Sequence, residues 1–92
     1  MMSQLPINLK GLDQEHIDEE ILRAGIIAEL DAINLYEQMA AMTDNEDIKA
    51  VLLDIAKEEK THVGEFQALL LNFDDEQLQE FDNGAKEVDE LT

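Results

Sequence analysis

The chain has 92 residues, 23 of them acidic and 6 basic, for a formal charge of −17; that length allows one domain with little core of its own. So acidic a surface argues against nucleic acid as a partner, because phosphate binding needs a basic face, and makes cations the natural clientele, although a well-solvated surface or a halophilic source is the plainer reason for the excess. With no cysteine, disulfides, thiolate metal sites and iron–sulfur clusters are excluded, and no apolar run approaches the ~20 residues that cross a membrane.

Residues 1–12, with Pro6 and Gly11 and no sustained periodicity, read as an extended lead-in without a signal-peptide pattern, so a soluble, cytoplasmic protein is expected. Asp13 is expected to cap the first helix, with Leu12 and Ile17 in hydrophobic-staple positions. From about residue 14 to 42, Ile17, Ile21, Leu22, Gly25, Ile26, Ala32, Ile33, Tyr36, Met39 and Ala40 recur at spacings of three and four. Glu29 falls inside this series and shares a face with Gly25, Ile26, Ala32, Ile33 and Tyr36, whereas Asp18, Glu19, Asp31 and Glu37 lie on or near the other side. Met39 and Met42 read as core fillers, and His16 as a solvated side chain in the polar first turn.

Thr43, Asp44, Asn45 and Glu46 break the pattern, with Thr43 and Glu46 at capping-box spacing. A connection this short makes the flanking helices antiparallel neighbours. The second helix is expected over about 46–72, with Ile48, Val51, Leu52, Ile55, Ala56, Val63, Phe66, Leu69, Leu70 and Phe73 as its stripe. Glu59 and His62 occupy the two stripe positions between Ala56 and Val63, while Glu58 and Glu65 flank the stripe. Asp74 and Asp75 can cap a short third helix over about 75–82, ended by Asn83 and Gly84. From residue 74 onward there are eight acidic residues against one lysine, so the last stretch is expected to be a mobile tail. The organisation is thus a lead-in at 1–12, a helical hairpin at 13–73, and a short helix with an acidic tail at 74–92.

A carboxylate in an apolar stripe costs several kcal/mol unless another charge or a metal compensates it. Glu59 and His62 form a Glu-x-x-His pair, which one ion can bridge from a single helix face. Glu29 lies about as far before the turn as Glu59 lies after it, so the hairpin brings all three to one level. One hairpin supplies three ligands and leaves a flank of its stripe bare. Two hairpins related by a two-fold axis form a four-helix bundle with four glutamates and two histidines, the ligand inventory of di-iron and di-manganese carboxylate proteins. Carboxylates with one imidazole per metal suit iron or manganese. Tyr36 is either a core aromatic or a hydrogen-bond partner of a metal ligand.

The run Ala28-Glu29-Leu30-Asp31-Ala32-Ile33-Asn34-Leu35-Tyr36-Glu37-Gln38, followed by Glu58-Glu59-Lys60-Thr61-His62, resembles the encapsulated ferritins, the short ferritin-like proteins associated with encapsulin nanocompartments, over about residues 20–73. The resemblance is to archaeal-type members, some of which are joined to the shell protein. It implies an all-α protomer, an antiparallel hairpin plus a short C-terminal helix, that dimerises into a ferritin-like four-helix bundle and assembles further into an open ring, typically a decamer. It implies a ferroxidase that oxidises Fe(II) with dioxygen at a di-iron site shared between two chains, one iron per chain, and supplies iron for storage inside an encapsulin compartment. Glu29, Glu59 and His62 match the iron ligands and Tyr36 the tyrosine beside them. A second, outer metal site would fall at positions 28 and 31; these are Ala28 and Asp31, so Asp31 alone remains of it. The tryptophan common before the tyrosine is Leu35 here. Calcium is a further candidate at secondary sites. The Gly/Ser-rich linker and apolar targeting peptide typical of encapsulin cargo do not precede Leu91-Thr92, which leaves free cargo, a shell fusion and a non-cargo role all open. Two other functions stay in view: a rubrerythrin-like peroxide-reducing di-iron protein, and a non-catalytic metal-binding helical assembly module.

Overall fold

A computed structural model describes residues 16–92. These form three helices, α1 (Ile17–Met42), α2 (Glu46–Phe73) and α3 (Asp75–Leu91), and no strand among the described residues. No described helix is long and apolar enough to cross a membrane. The expected lead-in and the expected cap and staple at Asp13 and Leu12 lie outside the described residues; the N-cap position of α1 is His16, whose side chain caps nothing. Its Nδ1 instead stands 3.1 Å from Glu19 Oε2.

The α1–α2 connection is only residues 43–45, and it works differently from the capping box read in the sequence. Asn45 is the cap of α2: its Oδ1 accepts from the backbone N–H of Asp47 at 2.9 Å and of Ile48 at 3.0 Å. Thr43 accepts from the N–H of Asn45 at 3.1 Å, which shapes the turn one step earlier. Because helical geometry starts at Glu46, that residue is the first of the helix and not the third, so it cannot close the box.

Contacts between the helices run in antiparallel register: Glu37 meets Lys60 at 2.9 Å, Glu29 meets His62 at 3.5 Å, and Arg23 meets Asp74 at 3.6 Å. As α1 is followed backwards, α2 is followed forwards. The buried core is Leu22, Ala24, Ile33 and Ala40 of α1 with Ala56 and Leu70 of α2. Half of it is alanine (Ala24, Ala40 and Ala56), which lets the two backbones approach. Part of the expected stripes is open: Ile21 of α1 and Ile48, Val51, Leu69 and Phe73 of α2 are all 47–60% exposed, and Met42, expected as a core filler, is 82% exposed.

Asp74 joins α2 to α3. Its N–H donates to the Leu70 carbonyl at 2.9 Å, closing α2, and its Oδ1 accepts from Gln77 N–H at 3.0 Å, opening α3. The cap expected there is present. The stop expected at Asn83-Gly84 is not: α3 continues to Leu91, so what read as a mobile tail is helix. No described glycine takes a positive φ, and Asn83, instead of capping, accepts from Gln79 Nε2 at 3.1 Å and donates to Glu80 at 3.2 Å within the helix. α3 buries none of its residues.

Candidate metal centre

Midway along the hairpin, Glu29 of α1 faces Glu59 and His62 of α2. Ligand atoms of these three residues all lie within 4.8 Å of one another. The Nδ1 of His62 stands 3.5 Å from Glu29 Oε2 and 3.5 Å from Glu59 Oε2, longer than the 2.7–3.2 Å of a nitrogen–oxygen hydrogen bond. Glu29 Oε2 is fully shielded from solvent and has no hydrogen-bond partner. Both carboxylate side chains are about one-fifth exposed, and the imidazole is 45% exposed.

This geometry is costly for an empty protein and suits a bound cation. Two carboxylates with one imidazole between them carry at least one uncompensated negative charge, even with His62 protonated. An orphaned, buried carboxylate oxygen loses its hydration without recovering a bond. A divalent ion would neutralise both acids and take the imidazole nitrogen as a third ligand. The donor set, oxygen with one nitrogen and no sulfur, suits iron, manganese or zinc by ligand type. The residues therefore fit the metal that the sequence pattern points to.

The site is at the surface of the protomer. An open concavity of about 310 Å³ is lined by Glu29, His62, Glu65, Phe66 and Leu69. Three protein ligands from one chain leave coordination positions free on that side.

The hairpin brings together the three residues that the periodicity singled out. Tyr36, seven residues beyond Glu29 on α1, is half-buried and outside the group, and its hydroxyl has no hydrogen-bond partner among the described residues. Asp31 also lies outside the group and has an interaction of its own. Glu65, read from the sequence as a flanking acid, lines the concavity. Its spacing of three from His62 was the available signal. Near the centre, Lys60 Nζ reaches Glu37 Oε2 across the hairpin at 2.9 Å and pins α1 to α2 on the outer side.

Comparison with known proteins gives a consistent result. The family model described as rubrerythrin matches residues 20–90. The chain is 64% identical over 73 residues to a ferritin-like–encapsulin shell fusion protein of Pyrococcus furiosus, covering 79% of this chain and 21% of that protein. It is 48% identical over 56 residues to the encapsulin nanocompartment cargo protein EncC of Myxococcus xanthus, covering 61% of this chain and 43% of that protein. The chain thus spans about a fifth and less than half of the lengths of these two relatives. Among solved structures, the encapsulated ferritin domain from Pyrococcus furiosus superposes with a TM-score of 0.84 at 53% identity, over 97% of this chain and 96% of that one.

Proposed function

Because this chain belongs to the rubrerythrin family, among its encapsulated ferritin-like members, we propose that it is a ferroxidase, which takes Fe(II) as substrate and oxidises it to Fe(III) with dioxygen at a site shared by two copies of the chain. The observation that carries this reading is the meeting of Glu29, Glu59 and His62 with a buried, unpartnered carboxylate oxygen at its centre. Two such trios, set face to face by a two-fold axis, make a pair of adjacent three-ligand sites inside a four-helix bundle. The exposed apolar flank of the hairpin, Ile48, Val51 and Leu69 among it, supports that pairing.

Iron supplies the redox chemistry, each Fe(II) giving one electron toward the reduction of dioxygen. The chain's own residues do the rest. Glu29 and Glu59 would supply charge that favours the ferric product over the ferrous substrate, and His62 would supply a nitrogen ligand. Packing of the second hairpin over the concavity would exclude bulk water and strengthen each of these interactions. Tyr36, on the same face of α1 as Glu29, is assigned a hydrogen-bonding role beside the ligands in the assembled pair. Asp31 would be the surviving acid of an outer site, with Ala28, three residues before it on α1, contributing no ligand.

The relatives named as an encapsulin shell fusion and a nanocompartment cargo protein support an encapsulin shell as the partner and its interior as the location. A higher annular assembly, a decamer on the family pattern, belongs to the same proposal. Two chains of this size enclose no mineral cavity, so the oxidised iron would be stored outside the bundle.

The test is aerobic Fe(II) oxidation by the parent chain and by Glu59→Ala. The parent should exceed the protein-free rate, and the variant should fall to it, a loss of at least about 10²-fold in enzymatic rate. A variant as active as the parent would sink the proposal. The rubrerythrin match favours a second reading, peroxide reduction at the same carboxylates; peroxide consumption without dioxygen uptake would select it. Against it, the chain contains no cysteine to ligate an electron-transfer iron. Metal binding without turnover of either oxidant would mark a non-catalytic assembly module.

A further inference from the structure

One turn before Glu29 on α1 stands Gly25, and one turn after His62 on α2 stands Phe66. The antiparallel register sets them opposite each other. A Cβ on Gly25 would lie 3.2 Å from each of Cε1, Cε2 and Cζ of Phe66, well inside the optimal carbon–carbon separation of about 3.5–4.0 Å. The far end of the ring therefore occupies the space that any side chain at position 25 would take. Elsewhere the pattern differs: nothing lies within 4 Å of a Cβ built on Gly64 or Gly84. Glycine is unfavourable inside a helix, and at Gly25 the close approach supplies a reason for it.

The ring is also part of the site. Phe66 lines the concavity with Glu29, His62, Glu65 and Leu69. We infer that Gly25 is a positioning residue for the metal centre: by admitting the Phe66 ring end-on against α1, it holds the two helices at the separation that lets Glu29 meet Glu59 and His62. A methyl group here forces a displacement of a few tenths of an ångström at least, either spreading the helices or turning the ring into the concavity. Metal–ligand distances tolerate only about 0.2 Å, so either response reaches the ligands one turn away. The inference rests on the reading of Glu29, Glu59 and His62 as a metal site, and it assigns the spacing of that site to a contact that touches no metal.

The experiment titrates metal-free protein with Co(II) and follows its visible absorption, in the parent, Gly25→Ala, the pair Gly25→Ala with Phe66→Leu, and Glu59→Ala. Gly25→Ala should bind Co(II) on the order of tenfold more weakly, as expected for residues that orient ligands without being ligands, with a shifted absorption band. The shorter side chain that the pair carries at position 66 should restore both affinity and spectrum, which a general loss of stability at position 25 would not allow. Should Gly25→Ala alone fold poorly, the pair still decides: parent-like binding supports the inference, and weak binding overturns it. Glu59-dependent Co(II) binding that Gly25→Ala leaves untouched overturns the inference alone, whereas a parent with no Glu59-dependent Co(II) signal overturns the metal-centre reading and the inference with it.

Discussion

Glu29 Oε2 is buried without a hydrogen bond although an imidazole nitrogen stands 3.5 Å away, and the cost of that arrangement is measurable. Changing Glu29→Gln keeps the shape and removes the charge. The metal-free variant should be more stable than the metal-free parent, by on the order of 1 kcal/mol, since a buried unpaired acceptor costs about 1–3 kcal/mol and an amide can donate to the facing Glu59 carboxylate. With metal present the order should reverse, because a ligand at 100 times its dissociation constant adds about 2.7 kcal/mol to the state that binds it. Thermal denaturation of both proteins with and without Co(II) checks the crossing, and a Glu29→Gln variant less stable in both conditions would mean that the carboxylate is held by something other than a metal. Glu29, Glu59 and His62 were legible in the sequence because each interrupts an apolar series at a spacing that fixes its helix face, and the equal distances from the turn fixed their height. Glu65 and Gly25 were not legible in the same way. Periodicity gives the angle of a side chain about its own axis, but not how closely the neighbouring helix approaches, and both residues owe their place at the site to that approach.

At the scale of elements, the turns decide where helices begin and end, and here side-chain chemistry chose between close alternatives. Asn45→Ala removes an acceptor for two backbone donors and should cost about 1 kcal/mol. Thr43→Ala should cost less, because Thr43 serves a single donor outside the helix; denaturant melts of the two variants rank them, and the reverse order would restore the capping box read from the sequence. The third helix offers a sharper contrast. Had Gly84 ended it with a left-handed residue, alanine there would be strained; in the continuous helix Gly84 has helical geometry and open space about it. Gly84→Ala should therefore stabilise α3 by about 0.5–1 kcal/mol, seen as slower amide exchange over residues 85–91, and faster exchange would place a break at Gly84. The sequence misled here because Asn-Gly is a strong local stop signal, and the side-chain pairs that tie Asn83 into the helix are ordinary polar spacings that carry no distinctive signature. Asp74 was legible as a cap, since an acid just before a helix start serves the free N–H groups of the first turn.

At the scale of the molecule, the described chain is 18 Å through its thinnest dimension, little more than one layer of helices. A single layer has little interior, which is why, among the described residues, six hydrophobic ones are buried while twelve large ones stay exposed. Length and stripe width made this half-built character legible in the sequence: the α1 and α2 stripes are too wide for each other and suit a bundle of four. The number of copies in the proposed assembly has no comparable signature, because it would depend on angles between protomers. If two hairpins pair as proposed, over the open concavity lined by Glu29 and His62, association and metal binding become one event. Anaerobic addition of Fe(II) to the parent chain, followed by mass determination of the intact assemblies, tests that coupling most directly. One iron per chain is expected on dimers or larger assemblies, none on monomers, and none on Glu59→Ala in any form; iron bound equally by monomers, or retained by that variant, would contradict a site shared between two chains.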